Sequence, residues 1–256
     1  MHILATNDDG VYAPGLLALA QAFRSLGDVT VLAPDRNWSA SGHVKTMHRP
    51  LRVWETQLSD GTPALSTDGA PSDCVAIAIL GMVEQPIDLV VSGINPNANV
   101  GHDVTYSGTV TAAMEAAISG LPGFAYSINS PMDHMGTTDY STAAEVSVSV
   151  AKQVLSKPMP EKFVLNVNIP SCSLDEISGI AVTRQGLRIY RDALVEREDS
   201  RGRKYYWIGG DAPTGIADPG TDFWALANRY VSVSPLTLDL TDSPMLPTIE
   251  SWELKL

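Results

Sequence analysis

The sequence predicts an α/β fold, a mostly parallel sheet flanked by helices, followed by a β-rich C-terminal extension. Three observations lead there. Short apolar runs of strand character alternate with segments of helical periodicity through the first two thirds of the chain, the order expected of successive βαβ units. One run, Ile87 to Ser92, has the dense apolar character of a central strand buried on both faces. Past Pro170 the alternation stops and strands follow strands, two of them joined by a charged turn around Arg201-Gly202.

His2 to Thr6 reads as the first strand. From Pro14 a helix follows whose Leu16, Leu17, Leu19, Ala20, Phe23 and Leu26 trace one apolar face and which Gly27 stops. Asp28 to Ala33 is the second strand, closed by Pro34. The excursion Asp35 to Gly69 holds short strands near Leu51 to Trp54 and Ala64 to Thr67, and a helix runs from Pro71 to Val83. After the central strand come a long polar loop, Gly93 to Ser107, an Ala-rich helix over Thr109 to Ser119, and a strand over Phe124 to Ile128. Asp139 to Leu155 reads as a helix and Phe163 to Ile169 as the last core strand, ended by Pro170. Ile180 to Thr183, Ile189 to Val195 and Lys204 to Ile208 then read as strands, followed by a short helix near Thr221 to Asn228, a strand Tyr230 to Ser234 and a Pro-rich tail. The expected division is a core over residues 1–180 and an extension over 181–256.

The 256 residues are 44% hydrophobic, enough for a substantial core. They are 18% charged, against about 25% in typical soluble domains, which points to surface hidden in a subunit interface. A formal net charge of -12 argues against a nucleic-acid polymer as partner, because such binding relies on Lys and Arg neutralising phosphates. Small phosphorylated substrates stay compatible, since a metal ion held by carboxylates supplies positive charge locally. Cys74 and Cys172 lie far apart and outside any C-x-x-C pattern, so neither a disulfide framework nor a structural zinc is indicated. The chain opens directly on the apolar run His2 to Ala5, without a basic leader, and the longest apolar stretch, Cys74 to Val83, is too short to cross a bilayer. A cytoplasmic enzyme without a membrane partner is the expectation.

Ligands of open parallel sheets bind outside the carboxyl ends of the strands, where loops converge and helix N-termini point inward. Three loops leave strands at that edge carrying oxygen-bearing side chains: Asn7-Asp8-Asp9-Gly10, Arg36 to His43, and Ser92 to Asn95 continuing to Tyr106-Ser107-Gly108-Thr109. Asp8 and Asp9 stand side by side after a buried strand, where desolvation is costly unless a positive charge compensates. A hard divalent ion meets that need, and Asp8, Asp9, the Ser39 hydroxyl and the Asn95 amide oxygen make a suitable ligand set. Asn-Asp-Asp-Gly is also a favourable turn, and the other two loops are what favour the metal site over a turn alone. Ser107-Gly108-Thr109 opens the Ala-rich helix, where free N–H groups and the dipole suit an anion, and where an ordinary N-cap would look the same.

Other polar residues are less decisive. His43 is either an acid or base or a hydrogen-bonded loop histidine, and His2, His48, His102 and His134 show no metal-ligand spacing. Arg184, Arg188 and Arg191 either reach a phosphate or form a solvated face, and Trp38 either stacks on a base or covers a core edge. There is no G-x-x-x-x-G-K, G-x-G-x-x-G, G-x-S-x-G or H-E-x-x-H, which removes support for nucleotide-driven motors, dinucleotide oxidoreductases, elbow-type serine hydrolases and zinc proteases.

At the same three loops the chain closely resembles the SurE family, the survival-protein nucleotidases. The matching stretches are Ile3 to Gly15, Val31 to His43, Thr67 to Val75 and Asp88 to Glu115, with further matches at Leu165 to Pro170, Thr183-Arg184-Gln185 and Tyr230 to Leu236. The resemblance implies a Rossmann-like core and one divalent metal ion per subunit, Mg²⁺ or Mn²⁺, on Asp8, Asp9, Ser39 and Asn95. It implies nucleoside 5′- or 3′-monophosphates as substrates, with Asn95, Asn99, Ser107, Gly108 and Thr109 toward the phosphate. It also implies homodimers or homotetramers that exchange C-terminal segments. Pro96-Asn97-Ala98-Asn99 departs from the Gly-containing run the family more often has after Asn95, which puts the contact of Asn99 in doubt.

The expected chemistry is hydrolysis by metal-activated water, with Asp8 and Asp9 as catalytic carboxylates and Asp8 orienting or deprotonating the water. Two alternatives stand beside it. Asp8 could act as a covalent nucleophile, although the adjacent pair lacks the spacing of the usual D-x-D arrangement. The same crevice could also serve a nucleotide or metal sensor without turnover.

Overall fold

The computed structural model describes residues 1–131, 137–160 and 162–255. Strand β1 (His2–Thr6), helix α1 (Pro14–Phe23) and strand β2 (Asp28–Pro34) form the first βαβ unit. β3 (Val53–Gln57) and β4 (Pro63–Thr67) follow, then α2 (Pro71–Ile77), β5 (Leu89–Asn95), α3 (Gly108–Ile118) and β6 (Gly123–Asn129). α4 (Ser141–Leu155) leads into β7 (Val164–Pro170) and β8 (Gly179–Val182). Beyond lie β9 (Arg188–Glu198), β10 (Lys204–Gly215), α5 (Asp222–Ala227), β11 (Tyr230–Leu236) and a final turn of helix, α6 (Leu246–Glu250).

The main sheet has nine strands in the order β3-β4-β2-β1-β5-β6-β7-β11-β8. Neighbours from β4 to β7 run parallel, while β3 is antiparallel to β4 and β11 is antiparallel to β7. Two-sided burial explains the apolar runs. Ile3 and Ala5 of β1 pack with Leu16, Leu19 and Phe23 of α1 and with Ala143 and Val150 of α4. Leu4, pointing to the opposite face, packs with Cys74 and Val75 of α2 and with Ala112 and Ala116 of α3.

β1 has β2 on one side and β5 on the other. The chain therefore leaves β1 in one direction and returns on the opposite side, which opens a crevice between the loops that follow β1 and β5. That switch point positions the site.

Several elements differ from the sequence reading, each for a local reason. α1 stops at Phe23, three residues before Leu26, and Gly27 is required because a Cβ there would lie 2.0 Å from the Met1 carbonyl oxygen. α2 gives way after Ile77 to a wider π turn over Ala78–Met82, broken by Gly81 at φ +121°. β5 continues past Ser92 to Asn95 with a register shift against β6, so Asn95 sits on a strand end instead of in the open loop. β9 and β10 run well beyond Val195 and Ile208 and pair as a separate antiparallel ribbon, with Leu194, Trp207 and Ile208 exposed on it. Residues after 180 do more than extend the core, since β11 returns to pair with β7 inside the main sheet. The Pro-rich tail carries α6, an element its composition did not signal. Among the described residues no helix is long and apolar enough to cross a membrane.

Candidate active site

The loop after β1 is folded by its own first residue. Asn7 Nδ2 donates to the Gly10 carbonyl at 3.0 Å and Gly10 N donates back to Asn7 Oδ1 at 3.2 Å. Gly10 adopts φ +102° and a Cβ there would meet the Arg36 backbone at 3.2 Å, so the turn presses against the loop after β2. Trp38 N donates to the Asp8 carbonyl at 2.7 Å, which fixes the two loops to each other.

Asp8 is 3% exposed, and Thr109 Oγ1 donates to its Oδ1 at 2.6 Å. Gly108, at the start of α3, leaves room for this approach, because a Cβ on it would lie 2.7 Å from Asp8 Cβ. Burial raises the Asp8 carboxyl above its ordinary range, against hydrogen bonds from Thr109 and from the backbone at Thr109 and Gly108 that pull it down. Burial, and then the neighbouring charge of Asp8, push Asp9 up to about 7. Among the described residues no cationic side chain compensates these two adjacent acids.

Asp8, Asp9, Ser39, Asn95, Asn99 and Ser107 all line one cleft of about 870 Å³. Ser39 N donates to Asn37 Oδ1 at 2.7 Å, and no protein group engages its hydroxyl among the described residues. Asn95 Nδ2 donates to the Asn97 carbonyl, and its Oδ1 receives no protein donor among the described residues. The site is thus two carboxylates, a hydroxyl and an amide oxygen; no cluster of three or more His, Cys, Asp or Glu suited to a metal exists among the described residues.

The residues expected around phosphate fall into two groups. Asn99 and Ser107 line the cleft, and Ser107 also caps α3 by accepting from Val110 N at 3.1 Å. Gly108 and Thr109 do not line it; Thr109 is fully buried, and its side chain turns toward Asp8. The start of α3 supports the carboxylate as much as it faces the crevice.

Residues 3–192 match the family model described as Survival protein SurE. The chain belongs to the SurE family. It is 51% identical to the 5′-nucleotidase SurE of Herpetosiphon aurantiacus over 242 residues, 94% of each chain. Identity to the 5′-nucleotidase SurE of Chloroflexus aggregans is 48% over 99% of each chain. The crystal structure of the SurE protein from Aquifex aeolicus superposes with a TM-score of 0.81 at 41% identity, covering 99% of this chain and 100% of that one.

Within this SurE fold, other candidates find different places. His43 Nε2 lies 2.9 Å from Glu115 Oε2, a hydrogen-bonded loop histidine outside the cleft. The Arg36 guanidinium lies over the Trp38 ring at 4.9 Å, occupying a face of that ring. Arg184 is exposed and Arg191 donates to Thr214 Oγ1 at 3.0 Å, whereas Arg188 enters the cleft. His134 lies outside the described residues.

The structure adds Asp103 and Phe223, which the sequence did not single out, to Arg188 and Tyr106 in the cleft wall. Asn166 and Asn168 of β7 grip Asn99, their Nδ2 atoms donating to its carbonyl at 2.8 and 3.1 Å while Asn168 Oδ1 accepts from its N–H at 2.7 Å. The signal for these two was present as polar residues at alternate positions of an otherwise apolar strand, Leu165 to Pro170.

Proposed function

We propose that this chain is a 5′-nucleotidase, hydrolysing the phosphomonoester of nucleoside 5′-monophosphates, with 3′-monophosphates as further substrates. One observation carries the reading: Asp8 and Asp9, both pushed up by burial, stand where three strand-end loops meet. Arg188 is the only lysine or arginine lining that cleft among the described residues, and it is already paired with Asp103. The 5′-nucleotidase names of its relatives support the reaction class.

The donor set fits one divalent cation per subunit, Mg²⁺ or Mn²⁺, held by Asp8, Asp9, Ser39 and Asn95. All four offer hard oxygen atoms, and the two carboxylates lack compensation without a cation. When bound, such a cation neutralises phosphoryl oxygens and makes water more acidic. Asp8, held in one orientation by Thr109, orients the attacking water and accepts its proton. Asn99, fixed by β7, and Ser107, at the N-terminus of α3, position the phosphate.

The exposed apolar residues of the β9–β10 ribbon and of the tail, among them Trp207, Ile208 and Trp252, support a self-partner. The reading is a homodimer or homotetramer built by exchanging C-terminal segments. Purified protein incubated with AMP and Mn²⁺ or Mg²⁺ is expected to release phosphate, and both EDTA and Asp8→Asn are expected to abolish release. Tight AMP binding without release would make the chain a sensor instead, and a phosphorylated enzyme trapped by rapid quench would make Asp8 the nucleophile.

A further inference from the structure

The cleft is larger than the set of groups that handles phosphate, and a second wall comes from the C-terminal segment. Arg188 begins β9 and Phe223 lies in the first turn of α5, and both line the cleft together with Asp103 and Tyr106. Arg188 Nε lies 3.0 Å from Asp103 Oδ2, an ion pair outside hydrogen-bond geometry, and the Tyr190 hydroxyl donates to Asp103 Oδ1 at 2.6 Å. The arginine side chain is only 17% exposed. None of its guanidinium nitrogens donates a hydrogen bond to a protein atom among the described residues, so the fork is placed beside Asp103 by charge and its donors are unspent.

The Phe223 ring is fixed beneath it. The guanidinium carbon lies 5.7 Å from the ring centroid. Cβ atoms on Gly186 and Gly215 would approach the ring to 2.6 and 2.1 Å, so two glycines let the backbone close around the phenyl group. The result is an aromatic surface with a planar donor fork above it.

The charge of this wall selects among ligands. Arg188 and Asp103 form a nearly neutral pair, so a second phosphate would gain little from the arginine and would meet the Asp103 carboxylate nearby. A nucleobase presents ring nitrogens or carbonyl oxygens to terminal N–H groups and a flat face to aromatic neighbours, which matches both features. We propose that Arg188 is a specificity-determining residue that hydrogen-bonds the base of the nucleotide, with Phe223 as its platform and Asp103 as its orienting partner. This rests on the nucleotidase reading and extends it from the phosphate to the nucleoside.

The test compares AMP with ribose 5-phosphate, which keeps the phosphate and sugar but lacks the base. The wild-type chain with Mn²⁺ is expected to prefer AMP in kcat/KM. Arg188→Met is expected to cut that preference by about 10- to 100-fold, the range for losing a hydrogen bond that involves a charged group. Removing Arg188 leaves Asp103 unpaired, so Phe223→Leu, which keeps the ion pair and weakens the platform, is measured beside it with thermal melts of both variants. Phe223→Leu is expected to lower the AMP preference in the same direction. A proportional loss on both substrates would make Arg188 structural and overturn the proposal. A selective loss on adenosine 3′,5′-bisphosphate relative to AMP would reassign it to a second phosphate and also overturn it. Absence of metal-dependent release from ribose 5-phosphate and from AMP in the wild-type chain would instead remove the nucleotidase reading itself.

Discussion

The hydroxyl of Thr109 donates to Oδ1 of Asp8 at 2.6 Å, across 101 residues of sequence. It ties the loop after β1 to the first turn of α3 and gives the carboxylate a single orientation inside the crevice. Thr109→Val keeps the shape and removes the donor. Its expected effect is a fall in kcat of about 10- to 100-fold, the range for a hydrogen bond to a charged group, with KM for AMP nearly unchanged. Thr109→Ser is expected to retain most of the activity. Steady-state kinetics on the two variants decide this, and a Val variant with wild-type kcat would remove Thr109 from the mechanism.

The carboxyl of Asp9, pushed up to about 7, gives the metal-free chain a pH-dependent weakness. Folding raises this acid above its unfolded value, so the folded chain binds a proton that the unfolded chain releases from the ordinary carboxylate range up to about pH 7. Stability from this group therefore falls as pH rises through that window, and the full penalty is present above it. Asp8, raised by burial, acts in the same direction. A divalent cation on the pair relieves the penalty where the acids are ionised and competes with protons where they are not. The gain in Tm on adding Mn²⁺ in place of EDTA is expected to be clearly larger at about pH 8 than at about pH 5.5. Equal gains at both values would show that the cation does not sit on these carboxylates.

That Asp8, Asp9, Ser39 and Asn95 share one cleft was legible in sequence because each lies within a few residues of a strand end, where topology alone makes loops neighbours. Asp8 and Asp9 follow β1 directly, Ser39 follows β2 closely and Asn95 ends β5. The orientation of side chains was less legible. Nothing in Ser107-Gly108-Thr109 says that Thr109 turns inward to a carboxylate while Ser107 lines the cleft. Phe223 was hidden for another reason, and so was the choice of Arg188 over Arg184 and Arg191 among the candidate arginines: both residues reach the cleft from the C-terminal segment, by non-local contacts to Asp103 and Gly101 that no local periodicity encodes. The return of β11 beside β7 escaped in the same way, since an apolar strand carries no mark of its partner or direction.

Asp222 is the buried carboxylate that joins the cleft loop to that C-terminal segment. Its Oδ2 accepts from Gly101 N at 2.7 Å, and its Oδ1 accepts from Gly186 N at 2.8 Å and Phe223 N at 2.9 Å. Gln185 Nε2 donates to the Gly101 carbonyl at 2.9 Å, so Gly101 is held by both of its polar groups. Asp222→Asn replaces one acceptor with a donor that faces an N–H. Its expected cost is about 1–3 kcal/mol of stability, together with a raised KM for AMP as the loop carrying Asn99 loosens. Chemical denaturation measures the first and kinetics the second. Gln185→Ala, a milder change at the same point, is expected to raise KM with little change in stability, and unchanged KM in both variants would confine Asp222 to holding the fold.

Glu115 is the tether of the loop that carries Ser39. It projects from α3, almost fully buried, and receives His43 Nε2 at 2.9 Å on one oxygen and Lys45 Nζ at 3.0 Å on the other. The His43 hydrogen bond, and then Lys45, hold its carboxyl below the ordinary glutamate range against the opposing effect of burial. A depressed folded value means that its stabilisation is present above the ordinary glutamate range and is lost as pH falls through the folded value. Glu115→Gln is therefore expected to lower Tm at about pH 7 by roughly 3–8 °C, and to converge on the wild type only as the pH falls through the lowered folded value and the wild-type carboxyl takes up its proton. Because the loop also brings Ser39 to the cleft, the same variant is expected to weaken Mn²⁺ binding at pH 7 in calorimetric titration. A Tm difference that stayed constant down to acid pH would show that packing at Glu115, and not its charge, holds the loop in place.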